Sequence, residues 1–470
     1  MILAKPCVRI IMKEIRPTLP VCAPAETDGS MSRQTPPPIA RTLDEATPAL
    51  DFEFPLESGD RRWTDLAPAR GGDDPAARLQ NLLRRQPAGR WQHVVFASHR
   101  GAGKSTELKR LTHQLRERYF AIYFEANVEM DANDFAMEDL LLVIARVVEE
   151  EMRKRGTPLD PQVLQRVEQW FGEVVFADEE GKQYLAGVNA SATAEGGVPF
   201  FAKLMASVTS SLRVESAHRK SVKTTLKQFP GTLMAHVNNV LGAAGEILRR
   251  QGYDLLILID NMDRYEPRLI DSLLVQSADR FRALQCNLIV TPPISLVLRP
   301  ESQSLESVFR CETMPTVKMR AKHQPYFEAS GPGRDKLLEA LDKRIEVQTL
   351  IPDPLAQTRL ALASGGAIRE FLELAQDATL DAAGETITLA DVNRTLERRR
   401  QRLRDRIDAN GWWDVLIDIA RTKRLSSGDA YLEVLFQRLA FQYNGEIWYD
   451  VHPLVSELPD FQRRISDPQS

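Results

Sequence analysis

The sequence predicts an α/β protein built around a parallel sheet, and three observations support this prediction. Short aliphatic runs at 93–97, 255–259 and 287–290 are typical of strands that are buried on both faces. Helical patterns separate these runs along the chain, as parallel strands require. A glycine-rich loop stands between the first run and the helix that follows it. The chain has 470 residues, which leaves room for further domains beside the sheet.

Composition excludes several classes of protein. The 61 basic and 65 acidic residues give a formal net charge of −4, which argues against a chain built for nonspecific nucleic-acid or polybasic membrane binding. The four cysteines are far apart in the sequence, which excludes a zinc ribbon and indicates a reducing cytoplasm: Cys7, Cys22, Cys286 and Cys311. No apolar run reaches the roughly 18 residues of a membrane span. We therefore expect a cytoplasmic protein with no membrane partner.

A phosphate-binding loop is predicted between the first strand and its helix. Residues 98–106 (SHRGAGKST) match the pattern G-x-x-x-x-G-K-[ST], with Ser98 at the first glycine position. The glycines allow backbone N–H groups to point inward around an anion, and the N-terminus of the helix adds its positive dipole. The predicted nucleotide-binding residues are Ser98, Arg100, Gly101, Ala102, Gly103, Lys104, Ser105 and Thr106. We expect Lys104 on the β- and γ-phosphates and the Ser105 hydroxyl on Mg²⁺.

An acidic motif follows the second aliphatic run. Asp260 comes directly after it, at the carboxyl edge of the sheet where ligands bind in α/β folds. We predict Asp260 as the carboxylate on the magnesium side. Asn261 can position a water but cannot accept its proton, so Asp263 is the remaining candidate base. The alternative is an acidic turn after a core strand.

Two further residues are candidates for sensing the nucleotide. Thr291 ends the third aliphatic run, where its hydroxyl could contact the γ-phosphate or its water, or could simply end a strand before two prolines. Arg369 lies in the first turn of a helix that follows Gly365 and Gly366. A cation at that end opposes the helix dipole. This favours an arginine that reaches the triphosphate from a lid, with an ordinary surface arginine as the alternative.

Residues 94–264 resemble the nucleotide-binding module of the STAND and KAP groups of P-loop ATPases, which are relatives of AAA+ proteins. The resemblance lies in HRGAGKSTEL, LLILIDNMDR, the strand that ends in Thr291, and GGAIREFLEL, and it extends over about 94–377. It implies a P-loop NTPase fold with a helical lid, ATP and Mg²⁺ as ligands, and slow hydrolysis, because Asn261 replaces the second Asp of the KAP acidic motif. Many bacterial proteins of this broad group are nucleotide-operated switches in signalling and antiphage defence.

Four segments are predicted on this basis. Residues 1–75 contain 11 of the 28 prolines and no apolar periodicity, which indicates an irregular leader outside the core, and Met31 within it is an alternative start. Residues 76–330 form the ATPase core, with a helical insertion at about 156–220. Residues 331–390 form the helical lid. Residues 391–470 contain an Arg-rich helix and a winged-helix-like module.

The carboxy-terminal segment leaves two interpretations open. Seven arginines stand between 394 and 406, namely Arg394, Arg398, Arg399, Arg400, Arg402, Arg404 and Arg406. They either belong to a connecting helix that is exposed to solvent or contact nucleic-acid phosphates. Behind them, two short helices and a hairpin signalled by Asn444-Gly445 suggest the winged-helix-like module. Its second helix is poor in basic residues, which favours protein contact there.

Three functions fit these features. The first is an ATP-dependent switch that self-associates or acts on a protein effector. The second is a DNA-associated, AAA+-like loader or remodelling ATPase. The third is a scaffold that binds ATP and barely hydrolyses it.

Overall fold

A parallel sheet of five strands forms the centre of the fold. The computed structural model describes residues 36–72, 74–87, 89–194, 199–213, 217–299, 302–329, 331–443 and 447–467. The strands are β1 (His93–Ser98), β2 (Tyr119–Glu125), β3 (Asp254–Asp260), β4 (Asn287–Val290) and β5 (Arg310–Met314). Their order across the sheet is β2-β3-β4-β1-β5. The predicted α/β class with a parallel sheet is confirmed.

Helices account for most of the remaining regular structure. Up to β5 they are α1 (Leu43–Ala49), α2 (Pro75–Arg84), α3 (Lys104–Leu115), α4 (Ala126–Glu129), α5 (Met137–Lys154), α6 (Pro161–Trp170), α7 (Glu179–Ala194), α8 (Phe200–Ser211), α9 (Ala217–Gln228), α10 (Pro230–Arg250), α11 (Pro267–Leu274), α12 (Ala278–Arg282), α13 (Ile294–Val297) and α14 (Ser302–Glu306). After β5 they are α15 (Gly333–Asp342), α16 (Val347–Leu350), α17 (Pro354–Ala363), α18 (Ile368–Asp381), α19 (Leu389–Asn410), α20 (Trp413–Thr422), α21 (Asp429–Phe436), α22 (Pro453–Ser456) and α23 (Pro459–Ser466). A hairpin of β6 (Ala440–Tyr443) and β7 (Trp448–Val451) lies between α21 and α22.

The two faces of the sheet bury alternate residues of each strand. In β1, Val94 and Phe96 pack with α2 and α3, whereas Val95 and Ala97 pack with α5 and α10. All six residues of β1 are buried, because helices cover both faces. β4 ends where Pro292 and Pro293 follow, since proline cannot donate to a strand ladder. This arrangement brings the carboxyl ends of β1, β4 and β3 side by side.

The predicted insertion is helical. Helices α6 to α9 occupy 161–228, and their apolar residues join the core beneath α5 and α10. Pro230 begins a separate helix, α10, because its ring cannot continue the preceding helix. Within the described residues, no helix combines the length and apolar character needed to cross a membrane.

The amino-terminal segment 36–72 differs from the leader that we expected outside the core. Ala46, Ala49 and Leu50 are buried in one cluster with the lid helices α15, α17 and α18. The backbone N–H of Ala40 donates to the carbonyl of Arg344 at 2.9 Å, and the N–H of Glu346 donates to Ala40 at 2.8 Å. The segment buries single residues at irregular intervals, so its sequence has no helical or strand period. Residues 1–35 lie outside the described residues.

The lid and the carboxy-terminal module share a second core. Thr388 begins α19 with a reciprocal capping box to Asp391, and Gly411 ends it in the left-handed conformation with φ of 66°. The helix, helix, hairpin order that we predicted is present as α20, α21 and β6–β7. The predicted Asn444-Gly445 turn lies outside the described residues.

Candidate nucleotide site

The loop 99–103 joins β1 to α3 and has the geometry of an anion cradle. Gly101 and Gly103 take φ of 86° and 98°, in the left-handed region where a side chain is strained. The N–H of Ala102 donates to the carbonyl of His99 at 3.2 Å, which closes the turn. Lys104 and Ser105 then form the first turn of α3, whose unpaired N–H groups face the loop. Ser98 is the last residue of β1 and needs no glycine.

Lys104 is held by an acidic residue of the loop after β3. Its Nζ lies 2.6 Å from Oδ2 of Asp263, and both side chains are at least nine-tenths buried. Asp263 neutralises the lysine. A nucleotide phosphate would compete with Asp263 for this ammonium group.

Asp260 lies beneath the loop and accepts several hydrogen bonds. The hydroxyl of Tyr123 donates to Oδ2 at 2.7 Å, and the hydroxyl of Thr291 and the N–H of Asn261 each donate to Oδ1 at 2.8 Å. Burial acts to raise the pKa of Asp260, but the charge of Lys104 and the hydrogen bonds from Ser105, Tyr123 and Thr291 outweigh it and lower that pKa. Asp260 is therefore a carboxylate at neutral pH.

A magnesium ion fits the residues at this place. Ser105 lies close enough to Asp260 to lower its pKa, so the hydroxyl and carboxylate that would hold the ion are already neighbours. Within the described residues no cluster of three or more His, Cys, Asp or Glu could hold a metal, but Mg²⁺ keeps most of its waters and needs only one or two carboxylates beside the substrate phosphates.

Asn261 takes a left-handed backbone conformation, with φ of 61°. Its side-chain Nδ2 donates to Oε2 of Glu125 at 2.7 Å, across the adjacent ends of β3 and β2. In the register of these strands Glu125 lies opposite Asp260. Glu125 was not among the predicted site residues, although a carboxylate at the end of a parallel strand was a usable signal.

The lid contacts the phosphate loop through Arg369. Its backbone N–H donates to the carbonyl of Gly101 at 3.0 Å, and a Cβ on Gly101 would lie 2.9 Å from the Cβ of Arg369. The Arg369 guanidinium shares the site with those of Arg100 and Arg264. Burial, followed by repulsion from Arg264 and Arg100, lowers the pKa of Arg369. Such a group of like charges favours an anionic ligand.

A cleft that is open to solvent extends from the loop. Its lining has seven basic and three acidic side chains, a surplus of four positive charges. The amino-terminal segment supplies an apolar wall, with Phe52, Phe54, Pro55, Leu56 and Trp63. The N–H of Leu56 also donates to Oγ1 of Thr106 at 3.2 Å, which ties this wall to α3. The cleft thus combines a cationic end with an aromatic end.

The carboxy-terminal hairpin also contacts the loop. The backbone N–H of Gln442 in β6 donates to Nε2 of His99 at 2.8 Å, and the His99 ring packs edge-on against Phe441. His99 is buried, and this burial, with the charges of Arg438 and Lys104, lowers its pKa to about 3. Neutral His99 therefore accepts the hydrogen bond from the hairpin.

Acidification should weaken this contact. The pKa of His99 falls from 6.5 in the unfolded chain to about 3 in the folded one. Its contribution to stability is complete above pH 6.5 and is lost as pH falls towards 3. At pH 5 the loss is on the order of 2 kcal/mol. We expect His99→Gln, whose amide oxygen can accept the same bond, to flatten the difference in unfolding free energy between pH 7.5 and pH 5. The exposed His323→Gln is the control, and an unchanged slope in His99→Gln would contradict the assignment.

The structure brings most of the predicted site residues to one place. Gly101, Gly103, Lys104, Ser105, Thr106, Arg100, Asn261, Asp263 and Arg369 line the cleft. Asp260 and Thr291 are fully buried and do not line the cleft, and Ala102 lies within the loop, where its carbonyl accepts from Arg70 at 2.6 Å. Ser98 is buried, and its Oγ donates to the His99 carbonyl at 3.1 Å. Arg70, Tyr123, Glu125 and the apolar wall were not among the predicted site residues.

Comparison with known proteins gives matches among solved structures alone. No protein-family model and no curated protein sequence matches the chain. Similar structures include a Walker-type ATPase of Pyrococcus abyssi, with a TM-score of 0.43, 13% identity, and coverage of 87% of this chain and 98% of that one. Cdc6p from Pyrobaculum aerophilum matches with a TM-score of 0.37, 11% identity, and coverage of 89% and 97%. The Orc1 protein of Aeropyrum pernix in complex with DNA matches with a TM-score of 0.36, 13% identity, and coverage of 83% and 93%.

The fold class follows from the chain itself. A parallel sheet carries the loop 99–103 between β1 and α3, with Lys104 and Ser105 at the start of the helix and Asp260 at the end of β3. These parts in this order are those of a P-loop nucleotide-binding domain. The chain has the P-loop NTPase fold.

Proposed function

We propose that the protein binds ATP with Mg²⁺ and hydrolyses it slowly, as a nucleotide-operated switch of the STAND or KAP type. The single observation that carries the switch is the hydrogen bond from the Gln442 backbone to His99. It ties the carboxy-terminal hairpin to the loop that would hold the phosphates. A change in that loop would therefore alter a contact of the hairpin.

The cleft supports ATP as the ligand. Its surplus of four positive charges complements a triphosphate. Phe54 is 61% exposed and lines the same cleft as Trp63, so an aromatic surface is available for a base. The sequence contains no Asn-Lys-x-Asp guanine motif, which favours ATP over GTP.

The chain's own residues divide the work of hydrolysis. Loop N–H groups and Lys104 would orient the β- and γ-phosphates, and Arg369 and Arg100 would stabilise negative charge on the γ-phosphate. Magnesium, when bound at Ser105 and Asp260, supplies further neutralisation of the phosphates. Asp263 would release Lys104 to the nucleotide and remain beside the arginines.

Hydrogen exchange with and without ATP tests the switch. ATP with Mg²⁺ should change the exchange rates of backbone amides in 440–443 by threefold or more, because the Gln442 N–H bonds to the loop. Amides in α7, which packs against α8 in the insertion, should not change. Measurement of mass with and without ATP would detect self-association. Unchanged exchange in the hairpin, with ATP demonstrably bound, would contradict the switch.

The DNA-associated alternative finds less support in the Arg-rich helix. Five of its seven arginines pair with carboxylates of the chain: Arg394, Arg398, Arg399, Arg400 and Arg404. Arg399, for example, donates to Glu370 of the lid at 2.8 Å. These pairs explain the arginines as ties between α19, the lid and the last helices. Salt-sensitive DNA binding by the whole chain would favour the loader instead.

The proposal includes a role in bacterial signalling or antiphage defence and an effector protein as partner, because the chain resembles the STAND and KAP groups. A chain that binds ATP with no hydrolysis would correspond to the scaffold function.

A further inference from the structure

The two acidic residues of the motif after β3 are both engaged in the structure. Asp260 accepts from Tyr123, Thr291 and the Asn261 backbone, and it lies beside Ser105 on the magnesium side. Asp263 pairs with Lys104 at 2.6 Å. Once Lys104 turns to a nucleotide, Asp263 still faces Arg100 and Arg369, whose charges it partly balances. Neither carboxylate is well placed to take a proton from water.

Glu125 is a third carboxylate at the same edge of the sheet. It is the last residue of β2 and lies directly opposite Asp260 in the β2–β3 register. Its Oε2 accepts a hydrogen bond from the Asn261 side-chain amide at 2.7 Å. Glu125 is thus held by a neutral amide, which leaves its negative charge available for proton transfer.

Asn261 connects Glu125 to the cleft. Its left-handed backbone, with φ of 61°, turns its side chain to the end of β2, while the residue itself lines the cleft beside Asp263. The amide donates to Glu125 through nitrogen, and its oxygen can accept a hydrogen bond from a water. One water could therefore contact the amide and the carboxylate together.

We propose that Glu125 is the general base for ATP hydrolysis and that Asn261 orients the attacking water. This inference rests on the proposed ATPase function. The water oxygen forms a bond to the γ-phosphorus, the bond from that phosphorus to the oxygen of ADP breaks with its electron pair on ADP, and the proton of the water passes to Glu125. Glu125 later returns the proton to solvent. The base thus lies at the end of β2 and the amide directly after β3.

Single substitution and exchange of the two residues test this assignment. Glu125→Gln should retain ATP affinity within about threefold and lose about a hundredfold or more in single-turnover hydrolysis, which is the usual contribution of a general base. The double variant Glu125→Asn with Asn261→Glu places the carboxylate at position 261 and the amide at position 125. Its single-turnover hydrolysis should be at least tenfold faster than that of Glu125→Gln. Glu117→Gln, at an exposed position, is the control and should match the parent in ATP affinity and in single-turnover hydrolysis.

The outcomes separate this inference from the proposed function. Parent-like hydrolysis by Glu125→Gln overturns the assignment. Loss of ATP affinity in Glu125→Gln, or no recovery in the exchanged variant, assigns Glu125 a structural role and also overturns it. A parent protein that binds ATP but yields no ADP in a single turnover overturns both the hydrolysis and the base, whereas no ATP binding at all overturns the proposed function itself.

Discussion

Replacement of Lys104 by alanine should abolish ATP binding. Lys104 is the buried cation at the start of α3, and its ammonium group would contact the phosphates once it leaves Asp263. A hydrogen bond to a charged group contributes about 1.5 to 3 kcal/mol, and the low-dielectric cleft places this one at the upper end. We therefore expect the Kd for ATP to rise a hundredfold or more, measured by equilibrium titration.

Two further variants sharpen this result. Lys182→Ala removes an exposed lysine that pairs with Glu179 on α7, and it should leave the Kd unchanged. Asp263→Asn removes the competitor for Lys104, so it should retain or tighten ATP binding. Unchanged affinity in Lys104→Ala would refute the site. Weaker affinity in Asp263→Asn would show that Asp263 does more than hold the lysine.

The site residues that come directly after a single strand in the sequence could be predicted from sequence. Phosphate loop, helix start and Asp260 each belong to a short run whose periodicity and turn residues are local. For these residues the spacing along the chain already determines the geometry. The contact of Thr291 with Asp260 is different, because it depends on β4 lying next to β3, and the strand order was not predicted.

The rest of the site depends on contacts between distant segments. Phe52 and Trp63 belong to a segment with no periodic pattern, and their place in the cleft results from packing of α1 and its neighbours against the lid. The Lys104–Asp263 pair joins residues 159 apart in sequence. The contact of Gln442 with His99 joins residues 343 apart. No local pattern encodes such pairs.

The Arg-rich helix α19 illustrates why charge alone did not distinguish a solvated helix from a nucleic-acid contact. Arginines at successive positions of α19 face different sides, and the carboxylates that pair with them come from the lid and the last helices. Glu370 accepts from Arg399 at 2.8 Å and lies 3.2 Å from Nε2 of His452. Burial opposes it, but His452, Arg399 and Arg438 together lower the pKa of Glu370 well below its usual range. The helix therefore contributes much of its charge to internal pairs.

Replacement of Asp260 by asparagine should stop hydrolysis and spare the fold. Tyr123 and Thr291 now donate to the carboxylate at 2.7 and 2.8 Å, and a hydroxyl can rotate to accept from the new amide instead. The negative charge on the magnesium side cannot be replaced in this way. We expect ATP affinity to change by less than about tenfold and single-turnover hydrolysis to fall by about a hundredfold or more, because charge stabilisation at the phosphates supplies several kcal/mol.

Tyr123→Phe provides the matched comparison, since it removes one hydrogen bond to Asp260 and keeps the carboxylate. Its hydrolysis should fall by less than about tenfold, because a single neutral hydrogen bond contributes about 1 kcal/mol. If the two variants lose rate equally, orientation of the carboxylate outweighs its charge. If Asp260→Asn hydrolyses ATP at the parent rate, the metal-side carboxylate lies elsewhere, and Asp263, which is already within 2.6 Å of Lys104, becomes its candidate.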